Sequence, residues 1–321
     1  MDGNETPRHL TSLADLSPDE TIGLLALARE LKDRWNRERR NLDLLSGRSL
    51  AMLFTKPSLR TRVSFELAMR QLGGHAVYLS PAEVGLGQRE SVADVARVLG
   101  RYADLIMARV FAHADVVGLA AHAGVPVING LSDQEHPCQA LADLLTVQEA
   151  VGSLAGRHLA YVGDGNNVAH ALLLGGAQCG MRVSVIHPPG YAPAASVMQA
   201  ARVFAAQTGG AVAATTELSA AVGADVLYTD VWASMGQEAE AAGRRAVFMP
   251  YQLNQALLER AAPDCLVLHC LPAHRGEEIT DQVIDGPRSR VFDQAENRMH
   301  AQKALLAWLG GGSSLPQRAA G

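Results

Sequence analysis

Cysteine, long apolar runs and net positive charge are all in short supply in this chain, and each shortage closes off a class of protein. The four cysteines, Cys138, Cys179, Cys265 and Cys270, stand far apart in 321 residues with no C-x-x-C spacing. Neither a disulfide framework nor a closed zinc site is expected from them. No run reaches the length of a membrane-spanning helix, and the opening residues, MDGNETPRHL, lack the basic-then-apolar order of a signal peptide. A cytoplasmic protein without a membrane partner is the expectation. The formal net charge is −5, so the surface as a whole attracts neither nucleic acid nor an anionic membrane. An anion could be bound only by a few cations placed locally.

What the chain does have is regular alternation. Apolar bursts of four to six residues alternate with segments of helical period almost from end to end, the pattern of β-α repeats around a parallel sheet. Ser17-Pro18-Asp19-Glu20 reads as a capping box opening the first long helix. Strands are predicted at 49–54, 75–79, 104–110 and 125–128, with helices at 59–72, 91–101, 112–123 and 137–150. After the turn cluster GSLAG at 152–156, a second series of strands is predicted at 157–162, 182–187, 225–228, 265–269 and 289–292. The fold class is therefore α/β, with two doubly wound parallel-sheet domains spanning 1–150 and 151–293. A final helix at 294–309 precedes GGGSSLPQRAAG, residues 310–321, which reads as a disordered tail.

In such sheets ligands collect beyond the carboxyl ends of the strands. The residues with chemistry to offer stand there. Ser58-Leu59-Arg60-Thr61-Arg62 follows the first burst. A helix starting near Ser58 offers free N–H groups to an anion, Ser58 and Thr61 add hydroxyls, and Arg60 adds a fork that suits phosphate. Residues two apart point to different sides of a helix, so Arg60 is assigned to the ligand and Arg62 to structural pairing or a neighbouring chain. A capped surface helix with solvated basic residues would explain this segment alone equally well. In HPCQALAD, 136–143, Pro137 biases His136 towards an extended conformation and Gln139 sits on the opening turn. A His donor beside a carboxamide fits a planar polar group such as a carbonyl bearing an amide nitrogen. Arg109 ends an apolar strand, where burying a cation is costly unless it meets an anion; an arginine snorkelling from a sheet edge is the competing reading.

In the second half, GDGNNVAH at 163–170 resembles a dinucleotide loop, but Val168 stands where G-x-G-x-x-G needs its third glycine, which weakens a nicotinamide reading. Asn166 and Asn167 suit an amino-acid carboxylate or, as commonly, a helix cap. DVWASMGQE at 230–238 places Asp230 to pair with an ammonium and Ser234 to bond a polar head group, although a loop anchored by Trp232 and capped by Ser234 accounts for it as well. HCLPAHRGEE at 269–278 puts Cys270 beside a Leu271-Pro272 bond suited to a cis turn. Near Arg60, Arg109 or Arg298, Cys270 would have a lowered pKa, giving a thiolate or a polar contact at the reacting centre, although a buried structural cysteine accounts for it as well. A metal held by His136, Cys138, His269 or Cys270 finds no support in the spacings.

Taken together, SLRTR, HPCQALAD, GDGNN, DVWASMGQE, HCLPAHRGEE and FDQAENRMHAQKALL at 292–306 resemble the ornithine carbamoyltransferases, in order from about residue 10 to residue 309. The resemblance implies a carbamoyl-phosphate domain, an ornithine domain, a terminal helix returning to the first domain, and an active site in the cleft between the domains of a homotrimer. It also implies that neither metal nor organic cofactor is used. By motif position, Ser58, Leu59, Arg60, Thr61, Arg109, His136 and Gln139 would hold carbamoyl phosphate, with Cys270, the Leu271 backbone and Arg298 at its carbamoyl end. Asn167, Asp230, Ser234 and Met235 would hold L-ornithine. Catalysis would fall to Arg60, Arg109, His136 and Cys270. Two positions depart from the family pattern: Leu59 replaces a common Thr, and Gly85 in the 81–90 loop stands where many members carry a Gln that reaches a neighbouring subunit, leaving Glu83 and Gln88 as substitutes.

Overall fold

The computed structural model describes residues 7–233, 241–312 and 314–316. Helix α1 (Pro18–Glu38) opens with the capping box read from the sequence: the Ser17 hydroxyl accepts from the Glu20 N–H, and the Glu20 carboxylate accepts from the Ser17 N–H. Then follow β1 (Ser49–Phe54), α2 (Leu59–Gln71), β2 (His75–Leu79), α3 (Pro81–Val84), α4 (Val92–Tyr102), β3 (Leu105–Arg109), α5 (His113–His122) and β4 (Val127–Leu131). These strands form an all-parallel sheet in the order β2-β1-β3-β4. The middle strands are buried almost throughout. They read as unbroken apolar runs because helices cover both faces of such a sheet. Leu53, Ile106, Ala108, Val116 and Val127 belong to one core cluster.

Helix α6 (Pro137–Val151) leads to β5 (His158–Val162), α7 (Asn167–Gln178), β6 (Arg182–Ile186), α8 (Ala195–Thr208), β7 (Ala211–Thr215), β8 (Val226–Thr229), α9 (Ala241–Phe248), α10 (Gln255–Leu258), β9 (Leu266–His269), α11 (Asp281–Ile284) and α12 (Val291–Gly311). The second sheet is also all parallel, in the order β7-β6-β5-β8-β9. Two compact units result. One comprises the chain up to Leu141 together with residues from Arg298 onward, and the other is Ala142–Asn297.

Each sheet has one place where the winding reverses. In the first it lies between β1 and β3, and in the second between β5 and β8. Loops leaving neighbouring strands at such a point diverge and leave a crevice at the carboxyl ends. The loops in question are those of Ser58 and Arg109 in one unit, and those of Asp164 and Asp230 in the other.

Three expectations need correction. Residues 289–292 are not a strand: Ser289 makes a single bridge to Val267, and Val291 already begins α12. Strand β7 was not foreseen, because AVAAT is rich in alanine, a poor strand former, and lies half-exposed at the sheet edge. The terminal helix runs to Gly311, beyond the expected 309, and Leu315 then packs against Gly23 of α1, where a side chain would leave no room for it.

Candidate active site

Helix α2 starts just beyond the carboxyl end of β1. Ser58 is its N-cap, accepting from the Thr61 N–H at 3.3 Å and donating its hydroxyl to Thr61 Oγ1 at 3.1 Å. Leu59 is exposed, so it can offer a ligand at this helix start only its backbone N–H. Thr61 is fully buried and is the meeting point of the unit. Its Oγ1 also accepts from Arg298 Nη2 of α12 at 2.7 Å and from Arg109 Nη1 at 3.4 Å. Arg109 ends an interior strand and is buried, so the reading of it as a snorkelling edge residue falls. The register slips between Ala108 and Arg109, which pairs with Leu131 and skips Gly130. A bulge of this kind re-aims the side chain at the strand end.

His136 and Gln139, both buried, stand at the start of α6. Burial pushes the His136 imidazole well below its ordinary pKa, and the nearby charges of Arg298, Arg109, Lys56 and Arg60 push it further. The ring is therefore neutral, able to donate from one nitrogen without adding charge. Its Nδ1 is buried without a hydrogen-bond partner among the described residues, and so is the Nε of Arg60. Buried polar atoms are nearly always paired, so unpaired ones at a strand-end crevice point to a ligand. Four cations act on one imidazole in a chain of net charge −5. Lys56, which also lies 5.3 Å over the Phe111 ring, was missed in the sequence because it precedes the recognisable helix start. Arg62 takes the structural role expected for it, stacked 4.1 Å over Tyr78 and paired with Glu66 at 3.6 Å.

The second unit is built around Asp230, 6% exposed at the end of β8. Its Oδ1 accepts from Cys270 Sγ at 2.9 Å and its Oδ2 from Asn166 Nδ2 at 3.0 Å. Cys270 thus makes a polar contact with a carboxylate. Asn166 is the N-cap of α7, accepting from the N–H groups of Val168 and Ala169 at 3.0 and 3.1 Å. The amides a pyrophosphate would use are taken by the chain's own side chain, a second strike against the dinucleotide reading. Asn167 is the first residue of α7. Gly165 is required, since a Cβ there would collide with the backbone of Ala192 and Pro193. Ser234 and Met235 lie outside the described residues.

Sequence reading also missed Arg244. It is 6% exposed, pairs with Asp164, donates to the Trp232 carbonyl, and stacks on Tyr191 and Phe248 at 4.8 and 5.1 Å. Its position in the helical run AAGRRAVF carries no signal of that role. The Leu271–Pro272 peptide is cis and Leu271 has φ +58°. Asp230, His269 and Cys270 bring donor atoms within 4.8 Å of one another, as a metal would need. Yet both ring nitrogens of His269 are engaged, Nδ1 by the Leu271 N–H at 2.9 Å and Nε2 by Glu278 at 3.0 Å, so the trio does not fit an ion.

A cation cradle at a helix start in one unit and an acid-thiol-amide cluster in the other make the class recognisable. The family model for the carbamoyl-P binding domain of aspartate/ornithine carbamoyltransferase matches residues 8–149, and that for the Asp/Orn binding domain matches 155–309. The chain belongs to the aspartate/ornithine carbamoyltransferase family. Within it, ornithine carbamoyltransferase of Pyrococcus abyssi is 54% identical over 306 residues, covering 95% of this chain and 96% of that protein. The Pyrococcus furiosus protein named ornithine carbamoyltransferase, anabolic, is 54% identical over 306 residues, covering 95% and 97%. The solved structure of ornithine carbamoyltransferase from Pyrococcus furiosus superposes with a TM-score of 0.93 at 53% identity, covering 96% of this chain and 99% of that one.

Proposed function

We propose that this protein transfers the carbamoyl group of carbamoyl phosphate to the δ-amine of L-ornithine, giving L-citrulline and phosphate in arginine biosynthesis. The observation that carries the reading is the action of Lys56, Arg60, Arg109 and Arg298 on a buried neutral His136, with the buried Arg60 Nε and His136 Nδ1 without partners among the described residues. A dianion bearing a carbonyl satisfies both the charge and the donors. The α2 N-terminus and Arg60 take the phosphate, with Ser58, Leu59 and Lys56 at its edge. His136, Arg109 and the Thr61 hydroxyl face the carbonyl oxygen, Gln139 and the Leu271 backbone the carbamoyl amide, and Arg298 fixes Thr61.

Ornithine's α-carboxylate and α-ammonium fall to Asn167, Ser234, Met235 and Asp230, with Cys270 beside Asp230. The neutral δ-nitrogen attacks the carbamoyl carbon, and the carbonyl oxygen gathers negative charge met by donors already in place. The C–O bond to phosphate then breaks, phosphate leaves with that electron pair, and the amine's surplus proton passes to it. Every group this sequence uses belongs to the chain or the substrates. The δ-amine, whose free pKa lies near that of lysine, must first lose a proton. The rate should therefore rise with pH through the amine's titration, and a flat profile would count against attack by the neutral amine.

Transfer to putrescine or an N-acylated ornithine is the rival. Those substrates lack the free α-carboxylate or α-amine for which Asp230, Asn167 and Ser234 are suited. Incubating the protein with carbamoyl phosphate and ornithine, without metal or nucleotide, and measuring citrulline decides; product from putrescine alone overturns the ornithine assignment. The proposal includes a cytoplasmic homotrimer. It is supported by the exposed apolar stripe Leu59, Val63 and Leu67 along α2 and by Val77 on the edge strand β2. In the 81–90 loop Glu83 is spent on capping α3 through Ser80, which leaves exposed Gln88 to reach a neighbouring subunit. Sedimentation of the purified protein as a monomer would remove that part of the proposal.

A further inference from the structure

The motif HCLPAHRGEE contains two residues that the proposed reaction does not use, His269 and Glu278. Both side chains are 0% exposed, and they meet at 3.0 Å, Nε2 to Oε1. The other ring nitrogen, Nδ1, accepts the Leu271 N–H at 2.9 Å. A nitrogen that accepts carries no proton, so the ring is the neutral tautomer with its hydrogen on Nε2, and that hydrogen goes to Glu278. The same Glu278 oxygen also accepts the His274 N–H at 2.6 Å, while Oε2 is buried without a partner among the described residues. On the backbone side, the His269 N–H donates to Gln294 Oε1 at 2.9 Å, and Gln294 Nε2 donates to Asp143 and the Tyr228 hydroxyl at 2.7 and 3.1 Å.

What this buried pair holds is an unusual stretch of backbone. Leu271 has φ +58°, a left-handed conformation that residues with a Cβ hold only when their surroundings over-determine it. The bond from its N–H to His269 is such a constraint. Cys270, immediately before it, is bonded to Asp230 at 2.9 Å. The turn carrying both the thiol and the Leu271 carbonyl is thus fixed through the Leu271 N–H by the His269 side chain.

We infer that His269 and Glu278 are positioning residues for the transfer reaction: Glu278 fixes the tautomer and ring plane of His269, and His269 Nδ1 holds Leu271 so that its carbonyl and the Cys270 thiol face the substrates. The inference rests on the reading of the protein as a carbamoyltransferase. Catalytic groups held this way tolerate little displacement, and misplacement by about 1 Å costs on the order of a hundredfold in rate.

Two substitutions separate the functions of the ring. In His269→Gln the amide nitrogen keeps a donor for Glu278 and nothing remains to accept the Leu271 N–H. In His269→Asn the side-chain oxygen stands near the former Nδ1 and the link to Glu278 is gone. Steady-state kinetics on the full chain should show His269→Gln losing on the order of a hundredfold in kcat, with carbamoyl-phosphate affinity by calorimetry falling much less. His269→Asn should recover most of that loss. Equal kcat in the two variants, or an unimpaired His269→Gln, overturns the inference. Should the variants fail to fold, nitrogen NMR of the histidine-labelled parent reads the tautomer directly: a proton on Nε2 is expected, and a proton on Nδ1 overturns the assignment. Failure of the parent to make citrulline would instead sink the functional reading and leave the tautomer result standing.

Discussion

The two switch-point clusters are built on opposite electrostatic principles. At the ends of β1 and β3, the charges of Arg298, Arg109, Lys56 and Arg60 act together on a neutral imidazole. At the ends of β5 and β8, the charge of Asp230 is already met by Asn166 and Cys270, and Asp164 by Arg244. The first arrangement gathers charge of one sign, and in the second each acid already holds hydrogen-bond donors of its own unit. A cluster of the first kind favours an anion by its sign of charge, whereas one of the second kind selects by shape and hydrogen-bond pattern. A small dianion and a zwitterionic amino acid are the ligands that match.

The contrast is broken most sharply by Arg60→Ala. It should cost on the order of a hundredfold or more in rate, as removal of one transition-state donor does, together with carbamoyl-phosphate affinity measured by calorimetry. Unchanged affinity would mean that the cations are not the ligand's. Glu135, which adjoins His136, tests whether a hidden acid neutralises the cluster. Burial pushes its carboxyl up to about 7 against Ser12 and Leu13 hydrogen bonds, and no cation pulls it down. A folded pKa above the unfolded one gives stability that is full below about 4.5 and is lost as pH rises through about 7. That loss should amount to about 3 kcal/mol. Urea unfolding at pH 5 and pH 8 should show it, and Glu135→Gln should flatten it; no change in the parent would mean that a cation already pairs with this acid.

Saturating ligand should stabilise in the same sense. Carbamoyl phosphate or inorganic phosphate at a hundred times its Kd should add about 2.7 kcal/mol, read as a rise in Tm, whereas high sodium chloride alone should not reproduce it. The smallest effect is expected from Asp230→Asn, which keeps the shape and removes the charge. It should cost about 1.5 kcal/mol in kcat/KM for ornithine and leave carbamoyl-phosphate affinity intact. Loss of both affinities would mean that the two clusters do not divide the substrates.

Much of this was legible in the chain because both doubly wound units keep their chemistry at the ends of apolar runs. SLAMLF and HAVYL became β1 and β2 over the expected residues, and Ser58, Arg109, His136 and Asp230 stand at strand ends or helix starts as read. What stayed hidden was of two kinds. Strand β7 is an alanine-rich edge whose composition favours a helix, and residues 289–292 have strand-like composition but begin α12. Lys56, Arg244 and the His269–Glu278 pair act through partners distant in sequence or through side-chain direction, and neither leaves a periodic trace. Cys270 shows the same limit: its neighbours in sequence gave no hint that its hydrogen bond would go to Asp230.

Asn166 has a further consequence. By folding its own oxygen over the Val168 and Ala169 amides, it turns the start of α7 from an anion trap into a sealed end. At the start of α7 a phosphate would therefore meet amides that already have an acceptor. Opening that seal with glycine would give phosphate a second, competing home, and with it an enzyme inhibited by its own product at the wrong address.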